Sequence, residues 1–217
     1  LDKHIQNLIR QGEHQQLDFK YCITDSKKIA RTLVAFSNTD GGKILIGVKD
    51  NGAITGIHSD EEFYMVQAAA QMYCRPAIHF EYYNREITGK TVLEIIVPEK
   101  NNLLHYAMDE QDKWRVYIRV EDQNFLANIV FIRAWKRKRK NTGTLVRYTE
   151  TEKILLTHLK KTGHISLSKF QRMAKISRYK AESILVNLLV LKIINIHFTD
   201  KGVFYTLKGD GETGKDE

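Results

Sequence analysis

Between Ala35 and Gly52 the chain reads AFSNTDGGKILIGVKDNG, and no other stretch limits the fold as much. A helix must stop between Asn38 and Gly42, because Gly41 and Gly42 tolerate the left-handed conformations of a tight reversal. The β-branched, apolar run KILIGVKD then suits an interior strand. Asp50-Asn51-Gly52 is a hairpin turn, which predicts AITGI as the returning partner strand. Helix, reversal, strand is the reverse of a phosphate-cradling P-loop, which runs strand, turn, helix. Lys43 follows a glycine, but no glycine stands at the earlier offset and no hydroxyl follows, so a Walker A motif is missing. The dinucleotide fingerprint fails for the same reason, and ATP is left without a motif.

The surrounding elements predict a mixed α+β domain. Ile5, Leu8 and Ile9 sit at helical spacing. LDFKYCI alternates, with Leu17, Phe19 and Tyr21 on one face and Asp18, Lys20 and Cys22 on the other, so Asp18 need not be buried. Ser26 is the expected N-cap of SKKIARTLVAFSN, whose Ile29, Leu33 and Phe36 form one stripe. DEEFYMVQAAAQMY reads as a helix closed by Pro76. IHFEYYNREI and TVLEIIV form a hairpin around Thr88-Gly89-Lys90, and HYAM and WRVYIRVE another. A helix through NIVFIRAWKRKRK is expected to close the domain. Several hairpins without regular strand–helix alternation exclude a doubly wound sheet.

The C-terminal part has a different rhythm. Thr149 or Thr151 caps TEKILLTHLKK, HIS is a short extended link, and LSKFQRMAK is a second helix. Ile176-Ser177 turns into RYKAESILVNLLVLK, and INIHF and VFYTL bracket a turn at Thr199–Gly202. By this order of elements, residues 149–208 resemble the winged-helix superfamily. The third helix of such a fold often enters the major groove, and its outward residues here are Arg178, Tyr179, Lys180, Glu182 and Asn187. Arginine and asparagine read base edges, and Lys180 is suited to a phosphate.

Charge divides the chain in the same way. Residues 1–132 carry 15 lysines and arginines against 18 acids, whereas residues 133–148 carry seven basic residues and no acid. Residues 149–208 hold 11 basic and four acidic residues, and 209–217 is a net acidic tail, expected to be flexible. The expected domains are therefore 1–132, a basic helical linker over 133–148, and 149–208. A local excess of this size favours polyanions through counterion release, with Arg133, Lys136, Arg137, Lys138, Arg139 and Lys140 as candidate contacts.

The two cysteines, Cys22 and Cys74, are too few and too isolated for a disulfide framework or a structural zinc site. The eight histidines are scattered without metal spacing, and no G-x-S-x-G elbow is present. No apolar run approaches a membrane span and no signal-peptide pattern opens the chain, so a cytoplasmic protein is expected.

Several separated motifs agree in order with one family. Glu13-His-Gln-Gln-Leu-Asp18-Phe19-Lys20 is followed by Phe36, Asn38, Thr39, Gly41 and Gly42, then by Gly47, Asp50, Gly52 and Gly56. With the later Tyr117-Ile118-Arg119-Val120, these resemble the Schlafen/AlbA-2 domain, also described as a divergent AAA or ATP-binding domain. The resemblance implies a mixed-sheet domain of DNA-binding transcriptional regulators, often followed by a winged helix. It departs in having Asp18 where glutamate is usual and Glu121 where glycine is usual.

Some Schlafen proteins cleave RNA with three carboxylates, which fall here on Glu13, Asp18 and Asp50. Clustered carboxylates hold one or two Mg or Mn ions that activate water. The competing reading is local: Glu13 caps a turn, Asp18 pairs with a lysine, and Asp50 starts the hairpin turn. The expectation is thus a DNA-binding regulator, with a dimer surface on its N-terminal domain and no cofactor. A metal-dependent nuclease is the first alternative, with RNA also open as a partner, and an ATP-binding regulator is the second.

Overall fold

The computed structural model describes residues 3–99, 102–140 and 148–209. The chain forms two compact units, Leu1–Ala127 and Asn128–Glu217, so the boundary falls five residues before the expected 132/133.

The first unit is built on a four-stranded sheet. Its strands are β1 (Leu17–Lys20), β2 (Gly42–Ile46), β4 (Glu81–Ile87) and β5 (Lys90–Val97), in the order β1-β2-β5-β4. β1 and β2 are parallel, and the other pairs are antiparallel. Helix α1 (Lys3–Gln11) places Ile5 against one face, with Leu17, Phe19, Leu45, Ile87 and Val92. Helices α2 (Ser26–Ser37) and α3 (Glu61–Met72) cover the other, where Leu33, Phe36, Ile44, Ile46, Leu93 and Ile95 pack together. Each such buried aliphatic side chain contributes about 1.5–3 kcal/mol of transfer free energy. Two smaller ladders complete the unit. One joins β3 (Cys74–Arg75), β6 (Tyr106–Met108) and β7 (Trp114–Arg115); the other pairs β8 (Tyr117–Val120) with β9 (Gln123–Leu126).

Local chemistry departs from expectation at three points. The N-cap of α2 is Asp25, whose carboxylate accepts from the Lys27 and Lys28 amides, so Ser26 is already the first helical residue. AITGI does not return as a full strand: β2 has β1 on one edge and β5 on the other, which leaves only a single Val48–Ile54 bridge. Asp18 is 3% exposed, because the face opposite Leu17 and Phe19 is also covered.

The second unit begins with α4 (Ile129–Arg139), capped by the Asn128 side chain on the Phe131 amide. Val130 and Ala134 of α4 are buried in this unit's core, so the described part of the basic segment is a packed helix, not a solvated connector. Residues 141–147 of that segment, and 210–217 of the acidic tail, lie outside the described residues. Next come α5 (Glu150–Thr162), β10 (His164–Ile165), α6 (Leu167–Ala174), α7 (Arg178–Val190), β11 (Ile194–Thr199) and β12 (Gly202–Leu207). Thr149 and Glu152 form a reciprocal capping box at α5, and Ser166 and Ser177 cap α6 and α7. The antiparallel sheet has the order β10-β12-β11, which makes a pairing strand of the HIS link. Phe170, Leu185, Leu188 and Tyr205 lie at the centre of its core.

Candidate functional site

The motif residues of the first unit meet in one hydrogen-bonded network, and its acids are occupied. Glu13 accepts the Phe19 amide at 2.8 Å. Asp18 lies 3.0 Å from Arg119 Nη2 and 2.6 Å from Lys20 Nζ. Arg119 is 2% exposed; it also donates to the Leu17 carbonyl and to Asn124 Oδ1, and its guanidinium lies over the Phe36 ring. Asn124 in turn donates to Thr32 on α2. Burial pushes the Glu13 carboxyl above its ordinary value against the pull of the Phe19 amide, and the neighbouring Asp18 adds to the rise.

The remaining motif positions are explained by the same junction. Asn38 donates to the carbonyls of His105 and Tyr117 and accepts the His105 amide, so one buried amide ties the end of α2 to two chain segments. Thr39 donates to the Ala35 carbonyl. Gln15 donates to Asp40 and to the Arg119 carbonyl, and accepts the Glu121 amide. A Cβ at Gly42 would stand 2.7 Å from the Phe36 ring, and one at Gly52 2.8 Å from Ile9. Gly41 has φ +67, and a Cβ there would meet Val97 and Glu99 backbone at 2.9 Å. At Gly47, φ is +91 and a Cβ would lie 2.6 Å from the backbone of Gly56, so two motif glycines allow two chain segments to touch.

Asp50 is not part of this network. The parallel register sets Asp18 beside Ile44, and Asp50 comes only after β2 has ended at Ile46. It is exposed in the turn that Gly52 closes onto the Lys49 carbonyl. Among the described residues, no group of three or more His, Cys, Asp or Glu side chains is placed to hold a metal ion. Glu13, Asp18 and Asp50 therefore do not form the three-carboxylate centre, because strand register separates the third from the first two. The three acids instead follow the local reading: Glu13 on a backbone amide, Asp18 on cations, Asp50 in a turn.

A second buried acid was not singled out from sequence. Glu94 on β5 is fully buried and lies 2.9 Å from His4, 3.0 Å from Lys43 and 3.0 Å from Arg85. Burial alone would raise its pKa, but the hydrogen bonds from these three side chains win and hold it below the usual carboxylate value. The signal was available: a glutamate interrupts the otherwise apolar TVLEIIV.

In the second unit the candidate nucleic-acid contacts separate into two groups. Arg133 donates to Glu182 Oε2 at 3.0 Å and lies over the Tyr179 ring. Arg178 reaches the other oxygen of Glu182 at 2.9 Å, and Arg137 donates to Asn187 Oδ1. Glu182, expected to face outward, is 6% exposed, and Asn187 is half-buried toward α4, because α4 packs along that side of α7. Lys136, Lys138, Arg139 and Lys140 of the α4 end remain exposed, as do Arg178, Tyr179 and Lys180 at the start of α7.

Comparison with known proteins defines the class. Residues 13–128 match the Schlafen, AlbA_2 family model, and the chain belongs to that family. Among curated proteins no sequence matches. Of the solved structures, the DIP2311 protein from Corynebacterium diphtheriae is 23% identical, with a TM-score of 0.42 over 59% of this chain and 28% of its own. The N-terminal domain of a RecG-related protein from Nitrosomonas europaea is also 23% identical, with a TM-score of 0.35 over 44% of this chain and 72% of that domain. The chain thus spans less than a third of the DIP2311 protein. No helix among the described residues is long and apolar enough to cross a membrane.

Proposed function

We propose that the chain is a nucleic-acid-binding protein, with duplex DNA as its ligand and transcriptional regulation as its role. Its second unit supplies the contacting surface. The observation that carries this reading is the exposed cationic surface of that unit: Lys136, Lys138 and Arg139 on α4 with Lys140 at its end, and Arg178 and Lys180 beside the exposed ring of Tyr179 on α7. The order α5-β10-α6-α7-β11-β12 supports assigning the unit to the winged-helix superfamily, with α7 as the helix that enters the groove. Arg178 and Lys180 then meet bases and phosphates, while Arg133, Arg137 and Asn187 fix α4 on α7 without touching the ligand. The first unit, whose residues carry no basic surplus, is assigned a scaffolding and dimer-forming role in this proposal.

Fluorescence anisotropy of labelled duplex DNA and RNA against salt concentration tests this. The expected result is duplex binding that falls steeply with salt, the logarithmic slope changing by about 0.9 for each phosphate contacted. Binding that salt leaves unchanged, or none at low salt, overturns it. Addition of Mg or Mn is expected to leave the labelled strands uncut.

A further inference from the structure

A concavity of the second unit lies at the far end of α7 from Arg178 and Lys180. Its volume is about 480 Å³, within the range of ordinary small-ligand sites. Lys138 from α4, Lys192 after α7 and Lys208 after β12 line it, together with His197 of β11 and an apolar floor of Leu189 and Ile194. Three lysines from three separate segments converge on one cavity, and among the described residues its lining includes no acid.

Two ordinary explanations for lysines at helix ends fail here. Cations commonly satisfy the last carbonyls of a helix. At the end of α7, however, backbone amides already do this: Leu191 donates to Asn187, Lys192 to Leu189 and Ile193 to Leu188. Lys140 likewise donates its amide to Arg137 at the end of α4. Nor are these lysines held in surface ion pairs, since among the described residues no carboxylate pairs with Lys138, Lys192 or Lys208. Lys192 also has φ +57, a conformation that glycine adopts at less cost, yet the position carries a long cation.

We propose that this cavity is a phosphate-binding pocket, in which Lys138, Lys192 and Lys208 bind the oxygens of a phosphoanion. Desolvation pushes the Lys138 ammonium below its ordinary value, and the charges of Lys192, Lys208 and Arg139 push it further the same way. A bound anion reverses that repulsion. His197 is fixed by a 2.8 Å hydrogen bond to Thr206 and closes one wall of the pocket. The pocket shares Lys138 with the cationic surface of α4 but lies apart from Arg178 and Lys180, and its anion binding does not depend on α7 entering a groove. Its phosphate comes either from a nucleic-acid backbone or from a free phosphorylated solute.

Titration calorimetry of the full chain with inorganic pyrophosphate at low salt tests the pocket without any nucleic acid present. Wild type is expected to bind saturably with one site. Lys192→Gln/Lys208→Gln is expected to weaken binding at least about tenfold, since charge-assisted hydrogen bonds are lost. Lys160→Gln, an exposed lysine of α5 outside the pocket lining, should bind as wild type. If the double variant melts early, Lys208→Gln alone is compared with the charge-preserving Lys208→Arg, which should retain binding. Absence of saturable binding by wild type, or equal weakening by Lys160→Gln, overturns the proposal. Once the pocket is established, competition identifies the source. Pyrophosphate that displaces labelled duplex assigns the pocket to the backbone, and simultaneous binding assigns it to a free phosphoanion.

Discussion

The first unit brings cations to buried carboxylates, whereas the second brings cations to one another. Asp18 has Arg119 and Lys20, and Glu94 has His4, Lys43 and Arg85. The cavity of the second unit has three lysines and, among the described residues, no acid in its lining. Burying a charge is costly unless it is paired and hydrogen-bonded, so a completed pair is what a structural site requires. Gathering like charges works against folding, and the arrangement becomes favourable only when an anion joins it. The contrast separates residues that hold this protein together from residues that await a ligand. Glu182 is an instructive intermediate: it lies in the basic unit, but with Arg133 and Arg178 on its two oxygens it resembles the acids of the first.

The strongest way to break the comparison is to remove a completed partner. Asp18→Ala leaves Arg119 buried without its carboxylate, and unfolding free energy should fall by about 3–5 kcal/mol in urea denaturation. DNA affinity of the folded fraction should be unchanged. A stable Asp18→Ala protein would show that the pair is not structural.

Glu94→Gln comes next, because glutamine keeps the shape and loses the charge; a loss of about 1–3 kcal/mol is expected at neutral pH. The pH dependence gives a sharper readout. Glu94 titrates below its ordinary value of 4.5 in the folded chain. Its contribution is therefore fully present above the unfolded value and disappears as pH falls through the lower, folded one. Thermal melts of wild type should drop more steeply than those of Glu94→Gln as the medium becomes acidic. Parallel curves would remove Glu94 from the structural class.

How far the sequence disclosed this division depends on the range of the interaction. The α+β class, the reversal at Gly41-Gly42 and the β4–β5 hairpin follow from local chemistry and were legible in it. The occupation of both edges of β2 was not, because β1 and β5 come from distant parts of the chain, and so the single Val48–Ile54 bridge looked like a hairpin. The candidate triad, held as the alternative to a local reading, was left open for a related reason. Sequence spacing gave Glu13, Asp18 and Asp50, but only the parallel register shows that Asp50 lies past the end of β2. Arg119, on which Asp18 depends, stands in a separate strand, YIRV, where nothing local announces its partner. Of the basic residues, charge counting found the surplus. It could not show that Arg133 and Arg137 turn to α7, or that Lys192 and Lys208 join Lys138.

A smaller effect is expected from Lys180→Gln. Stability should stay within about 0.5 kcal/mol of wild type, because the side chain is exposed. The salt slope of DNA binding should decrease by about 0.9 if the lysine meets one phosphate. An unchanged slope would place the duplex elsewhere on the unit.

Glu13→Gln should have the smallest effect on stability and still separates structure from catalysis. Glutamine retains an oxygen for the Phe19 amide, and it removes a charge that burial and Asp18 both disfavour. The change should lie within about 0.5 kcal/mol at neutral pH, with weaker acceptance by the neutral amide offset by relief of the buried charge. The sign of the pH dependence is opposite to that of Glu94. Because the folded Glu13 pKa is raised, protons bind the native chain more readily, so the charge penalty is present at neutral pH and fades in acid. Any stability advantage of Glu13→Gln should therefore shrink as pH falls through the raised value. Wild type and variant should bind nucleic acid alike and cut neither RNA nor DNA with Mg or Mn. Cleavage by wild type that Glu13→Gln abolishes would mean that an acid of the first unit acts on a ligand, and the division between the two units would fail at its most exposed point.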